Sequence, residues 1–94
     1  MDDGDKIPRI LIEDLKNGNF RYTLHAQEQM KMRSIRAQDI IACAQTVQQI
    51  RFQESRGTYI VDGLNFYGKR LCVVCGYDKG TLVITAYRKE EGRK

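Results

Sequence analysis

The spacing of apolar residues changes once along this chain, near residue 48, and that change limits the fold more than any other feature. Ahead of it, Ile7, Ile10, Leu11 and Leu15 recur at intervals of three and four, the spacing that lines one face of a helix. Asp5 reads as the N-cap, Pro8 as a first-turn residue and Gly18 as the stop. Thr23 can cap a second helix running to about Arg33, and Ile40, Ala44 and Val47 line a third that starts after Ile35. Beyond the change come VQQIRFQE, TYIVDGLNFY, RLCVVCGYD and TLVITAYRK, all dense in β-formers. They are separated by Ser55-Arg56-Gly57, Gly68-Lys69-Arg70 and Asp78-Lys79-Gly80, short connections that join antiparallel neighbours. Asp62-Gly63 reads as a bulge or a further turn inside the second run. The expectation is an α+β domain, with three N-terminal helices packed on one face of a four-stranded antiparallel sheet. The helical part falls at residues 5–47, the sheet at 48–89 and a short basic tail at 90–94. A chain of 94 residues holds one core of this size, so residues 1–94 read as a single domain.

Charge divides along the chain as well. Residues 1–30 carry four Lys/Arg against six Asp/Glu, and residues 31–94 carry twelve against six. A basic C-terminal part steers a polyanion such as RNA or an acidic protein, and equally keeps a small domain in solution. No apolar run nears the roughly 20 residues of a membrane span, and MDDGDKIPR has neither the basic start nor the apolar stretch of a secretory signal. The expectation is a cytoplasmic protein without a membrane partner. Cys43, Cys72 and Cys75 are odd in number, which argues against a disulfide framework. Cys72 and Cys75 lie three apart in a strand-like run and so point to opposite faces, where they cannot readily share a metal. Neither a metal nor another cofactor is expected.

The single histidine, His25, lies in the second helix. At 100° per residue Ala26 and Met30 form a stripe facing the core, and His25, Gln29 and Arg33 climb beside it as a polar ridge. These residues also carry a resemblance. Tyr22, His25, Ala26, Met30, Arg33 and Ile35 fit the pattern Tyr-x-x-His-Ala-x-x-x-Met-x-x-Arg-x-Ile, which resembles the signature of a bacterial domain family of unknown function. Asp39-Ile40 in the next helix and Thr85, Tyr87 and Arg88 near the end extend the resemblance over residues 20–89. Family members are similar to the RelE, ParE and MqsR toxins, small cytoplasmic domains of toxin–antitoxin pairs. The resemblance therefore implies a RelE-like fold, an antitoxin as partner and a metal-independent endoribonuclease acting on mRNA. This chain departs from the pattern at Gln29, where the family usually has arginine, at Ser34, where it has glycine, and at Arg36, where it has a Ser or Asp cap.

Cleavage of RNA through its 2′-hydroxyl needs a base, a cation beside the phosphorus and an acid for the leaving 5′-oxygen. His25 suits either proton role, and Arg33, Arg88 and Lys69 suit the charge role. Tyr77 and Tyr87 suit base stacking or proton donation, and Arg70 adjoins Lys69 in the basic turn. The expected catalytic set is His25, Tyr87 and Arg88, with Arg33, Lys69, Arg70 and Tyr77 binding nucleic acid. Each residue also fits a plainer role: His25 a helix-to-strand strut, Arg33 a surface pair with Asp39, Arg88 a solvated strand end, and the tyrosines half-buried sheet residues. A non-catalytic domain that binds protein or nucleic acid is the alternative function. In the last strand Leu82, Ile84 and Ala86 are expected to share a face with Arg88, opposite Val83, Thr85 and Tyr87.

Overall fold

The computed structural model describes residues 3–89, with side chains from Lys6 onward. The proposed tail at 90–94 lies outside the described residues. Three helices, α1 (Asp3–Lys16), α2 (Leu24–Arg33) and α3 (Ala37–Gln45), accompany five strands. The strands are β1 (Phe20–Tyr22), β2 (Gln49–Gln53), β3 (Thr58–Leu64), β4 (Arg70–Tyr77) and β5 (Thr81–Arg88). Helix α1 already includes Asp5, so this residue does not precede the helix as a cap; its side chain lies outside the described residues.

The sheet runs β1-β5-β4-β3-β2. β2 to β5 form the expected antiparallel meander, but β1 adds a fifth strand parallel to β5, with Phe20, Arg21 and Tyr22 opposite Thr81, Leu82 and Val83. The expectation of a four-stranded antiparallel sheet is therefore corrected to a five-stranded mixed one. Three residues between a helix stop and a helix cap carry too little alternation to announce a strand. β1 exists because β5 offers it an edge, a long-range pairing that local periodicity does not encode.

All three helices cover one face. Leu11 and Leu15 from α1, Ala26 and Met30 from α2, and Ile40, Cys43 and Ala44 from α3 bury against Val61, Leu71, Val73, Cys75, Val83 and Ala86. The approach is closest at Gly63, where a Cβ would sit 2.2 Å from the Cys43 carbonyl oxygen. Asp62-Gly63 is neither a turn nor a bulge; Gly63 is in mid-strand to let α3 lie down on β3.

Polar bolts fix each helix to the sheet, because buried strand carbonyls and amides need partners. In α1, Asp14 accepts from the buried Thr81 hydroxyl at 2.7 Å. At the far end of α3, the Thr46 hydroxyl accepts from Leu64 N–H and donates to the Ala42 carbonyl, each at 2.8 Å. The Thr23 cap is present, its hydroxyl accepting from Ala26 N–H at 2.9 Å and lying 3.3 Å from the Ile84 carbonyl.

β5 carries the irregularity. Val74 pairs with Thr85 and Cys75 with Val83, which leaves Ile84 as the extra residue of a bulge. The strict alternation expected along this strand therefore breaks: Val83 joins Ala86 and Arg88 on the helix-covered face. The slip occurs before Ala86, so Tyr87 and Arg88 still project to opposite faces.

Candidate nucleic-acid interface

One end of the sheet gathers the end of β3, the start of β4 and the end of β5: Leu64 pairs with Arg70, and Leu71 with Arg88. The C-terminus of α2 and the N-terminus of α3 lie over this same end. Arg33 donates from Nη1 to the Ala86 carbonyl at 2.8 Å, and Asp39, the third residue of α3, accepts from Phe66 N–H at 3.0 Å. Arg36, Lys69 and Arg70 are exposed there, and Arg33, Arg88 and Lys89 half-buried.

The turn between β3 and β4 is built for rigidity. Asn65, itself buried, accepts through Oδ1 from Tyr67 N–H and Lys69 N–H, both at 2.9 Å. Its backbone N–H donates to the Lys69 carbonyl at 2.7 Å, closing the loop, and Gly68 supplies the positive φ of 84° that the turn requires. Asp39 ties this turn to α3 while its other carboxylate oxygen accepts from Arg36 N–H at 2.9 Å. The loop so held presents Phe66 at 58% and Tyr67 at 74% exposure, their rings edge to face at 5.3 Å. Two exposed aromatic rings thus lie on an ordered turn at the end of the sheet where Arg36, Lys69 and Arg70 are also exposed, a surface that offers π-faces and positive charge.

The uncovered face of the sheet continues from this end. Asp62, Cys72 and Tyr87 stand side by side on β3, β4 and β5. Tyr87 lies directly opposite Cys72, and the Cys72 thiol donates to Asp62 Oδ1 at 2.8 Å. Asp62 is 7% exposed and Cys72 1%. Arg51 and Lys89 flank the carboxylate, each 3.5 Å from Oδ2. Burial works to raise the Asp62 pKa, but the thiol hydrogen bond and these two cations outweigh it and leave the carboxyl below its ordinary value. Burial and the neighbouring carboxylate push the Cys72 thiol up to about 11, and burial and Cys72 raise the Tyr87 phenol. Near neutral pH the row thus holds a carboxylate, a protonated thiol and a protonated phenol between two cations.

The expected site residues are only partly gathered. Arg33, Lys69, Arg70 and Arg88 share the basic end of the sheet, with Tyr87 beside it on the open face. Tyr77 lies at the other end of β4, about 23 Å along the strand. His25 is exposed in the first turn of α2, on the helix-covered side, and its imidazole makes no hydrogen bond among the described residues. It is therefore not placed with Tyr87. Arg33 does not pair with Asp39: its guanidinium holds a strand carbonyl, and the Asp39 carboxylate is taken up by two backbone N–H groups. Phe66, Tyr67, Asn65, Arg51 and Lys89 take no separate role in the sequence reading, and Arg36, Asp39, Asp62 and Cys72 enter it only in other roles, as a helix start, an ion-pair partner, a turn and a structural thiol. NFYGKR did hold a signal, since two aromatic residues beside Gly-Lys-Arg lie where a turn exposes them.

Cys72 faces the open side and Cys75 the core, as their spacing implies. Among the described residues no group of three or more His, Cys, Asp or Glu side chains is disposed to hold a metal ion, and no helix is long and apolar enough to cross a membrane.

Comparison with known proteins gives one finding. A family model described as a domain of unknown function (DUF4258) matches residues 22–88, from the last residue of β1 through the last of β5. No curated protein and no solved structure matches the chain. The match takes in α2, α3 and all of the sheet except the first two residues of β1, so the chain belongs to the DUF4258 family.

Proposed function

We propose that this domain binds single-stranded RNA across the basic end of its sheet. The observation that carries the reading is the rigid 65–69 turn, which presents Phe66 and Tyr67 to solvent among Arg36, Lys69 and Arg70. Bases stack on the rings while the cations take the phosphates, and a duplex, whose bases are already stacked, gains only the charge contacts. Titration of a fluorescent single-stranded RNA and of its duplex tests this. Binding is expected to prefer the single strand and to weaken steeply with salt. Equal affinity for both, or none for either, contradicts it.

A second reading, favoured by the Tyr87 row, is metal-independent endonucleolytic cleavage of mRNA by a toxin of a toxin–antitoxin pair. In that chemistry the 2′-hydroxyl gives up its proton to solvent water as its oxygen attacks phosphorus, the bond to the 5′-oxygen breaks, and a cyclic phosphate and a 5′-hydroxyl result. The protonated Tyr87 phenol is the acid for the leaving oxygen, and Lys89 and Arg51 meet the developing charge. An antitoxin acts in this reading by covering the open sheet face. Induced expression in a host separates the two readings. Growth arrest with cut transcripts, lost in Tyr87→Phe, supports cleavage; intact transcripts with RNA bound to the recovered protein support binding alone.

A further inference from the structure

Each lateral edge of the sheet ends in a strand with no outer partner among the described residues, but the β1 edge is three residues long and the β2 edge five. On the β5 side, β1 pairs with residues 81–83, and beyond it the Thr23 hydroxyl and the Arg33 guanidinium meet the Ile84 and Ala86 carbonyls. On the other side β2 is the last strand, and among the described residues nothing pairs with its outer edge. Natural proteins blunt such edges with proline, bulges, very short strands or charged side chains, and of these β2 has only its five-residue length and Arg51. The run Gln49-Ile50-Arg51-Phe52-Gln53 has no proline and pairs with β3 without a bulge.

An apolar groove runs beside this edge. Ile50 from β2 and Pro8, Arg9, Ile12 and Glu13 from α1 line a cavity of about 320 Å³. Phe52, 54% exposed, continues the same face and leans on Tyr59 with ring centroids 4.8 Å apart. Arg51 projects to the opposite face, where Asp62 engages part of its guanidinium. β2 thus offers backbone partners along its edge, two apolar side chains on one face and a cation between them on the other.

Charge decides which strand fits. In a symmetric antiparallel pair of two β2 strands, full overlap places Arg51 opposite Arg51 of the second copy, and a shift that avoids this loses pairs from a five-residue strand. A strand with an acidic residue opposite Arg51 and apolar residues on either side suits all three positions. We propose that β2 is a docking edge for an extended segment of a different protein, with the pattern apolar-acidic-apolar. The acidic side chain meets Arg51 and the apolar pair covers Ile50 and Phe52 at the mouth of the groove.

The test uses the whole chain and two synthetic nine-residue peptides that alternate valine with glutamate or valine with lysine. The glutamate peptide is expected to shift the backbone amide signals of residues 49–53 and to slow hydrogen exchange there, leaving the 65–69 turn unperturbed. The lysine peptide is expected to bind about tenfold more weakly, and Arg51→Glu to reverse the order. No shift at residues 49–53 with millimolar glutamate peptide overturns the proposal. So does equal binding of both peptides, or a concentration-dependent dimer whose formation protects the same amides, which would assign the edge to a second copy.

Discussion

The Arg33 guanidinium and the Ala86 carbonyl meet at 2.8 Å, so the cation that closes the polar ridge of α2 is a fastener between helix and last strand. Removing it leaves a half-buried strand carbonyl without its charged donor. Arg33→Ala is expected to destabilise the fold by about 1–3 kcal/mol in urea denaturation. Arg33→Lys should recover part of that loss. An unchanged midpoint for Arg33→Ala would show that the contact contributes nothing.

Ser34 ends α2 in the left-handed region, with φ 58° and ψ 40°, while its N–H donates back into the last turn. A serine there carries strain that glycine does not. Ser34→Gly is expected to stabilise by about 0.5–1 kcal/mol, less whatever the freer unfolded chain takes back. Thermal melting is the measurement, with a higher midpoint as the expected outcome.

Gly63 has no room for a methyl group because its missing Cβ would meet the Cys43 carbonyl backbone. Gly63→Ala must therefore push α3 away from β3, at a cost of about 3 kcal/mol or more. A soluble variant with unchanged stability would contradict the packing described.

Burial lifts the Cys43 and Cys75 thiols to about 12 and, with Asp62 beside it, the Cys72 thiol to about 11. A group whose pKa is raised on folding contributes stability below its unfolded value and loses it as pH rises through the folded one. Stability should therefore fall from about pH 9 upward, as the unfolded chain releases thiol protons that the folded chain keeps. The Asp62 carboxyl is lowered and acts in the opposite sense. Its contribution is present above the ordinary carboxylate range and is lost in acid, so the gap between wild type and Asp62→Asn should narrow below about pH 4. Urea denaturation across pH checks both limbs, and a flat profile above pH 9 would sink the first.

Much of the fold was legible because its signals are local. Thr23 could be recognised as a cap, Ala26 and Met30 as a docking stripe, and the β2 to β5 runs as a meander from residues within one element. What was missed depends on partners far along the chain. β1 exists only against β5, the Ile84 bulge only against β4, and the service of Arg33 to Ala86 only once the helix has docked. Site residues divide in the same way. A basic turn at Lys69 and Arg70 is visible in sequence, whereas the row from Asp62 through Cys72 to Tyr87 needs three strands in register. Closeness in sequence suggests Asp39 as a partner for Arg33, whereas the structure uses Asp39 to hold the aromatic turn.

The central claim rests on the Phe66 and Tyr67 rings, which are exposed and can be changed without opening the core. Affinity for a single-stranded RNA should be measured for wild type, Phe66→Ala and Tyr67→Ala at low and moderate salt. Each substitution is expected to weaken binding by about 1–3 kcal/mol at both salt concentrations, with the salt slope unchanged because no phosphate contact is lost. Wild-type affinity in both variants would contradict the account, because the turn would then play no part in holding RNA.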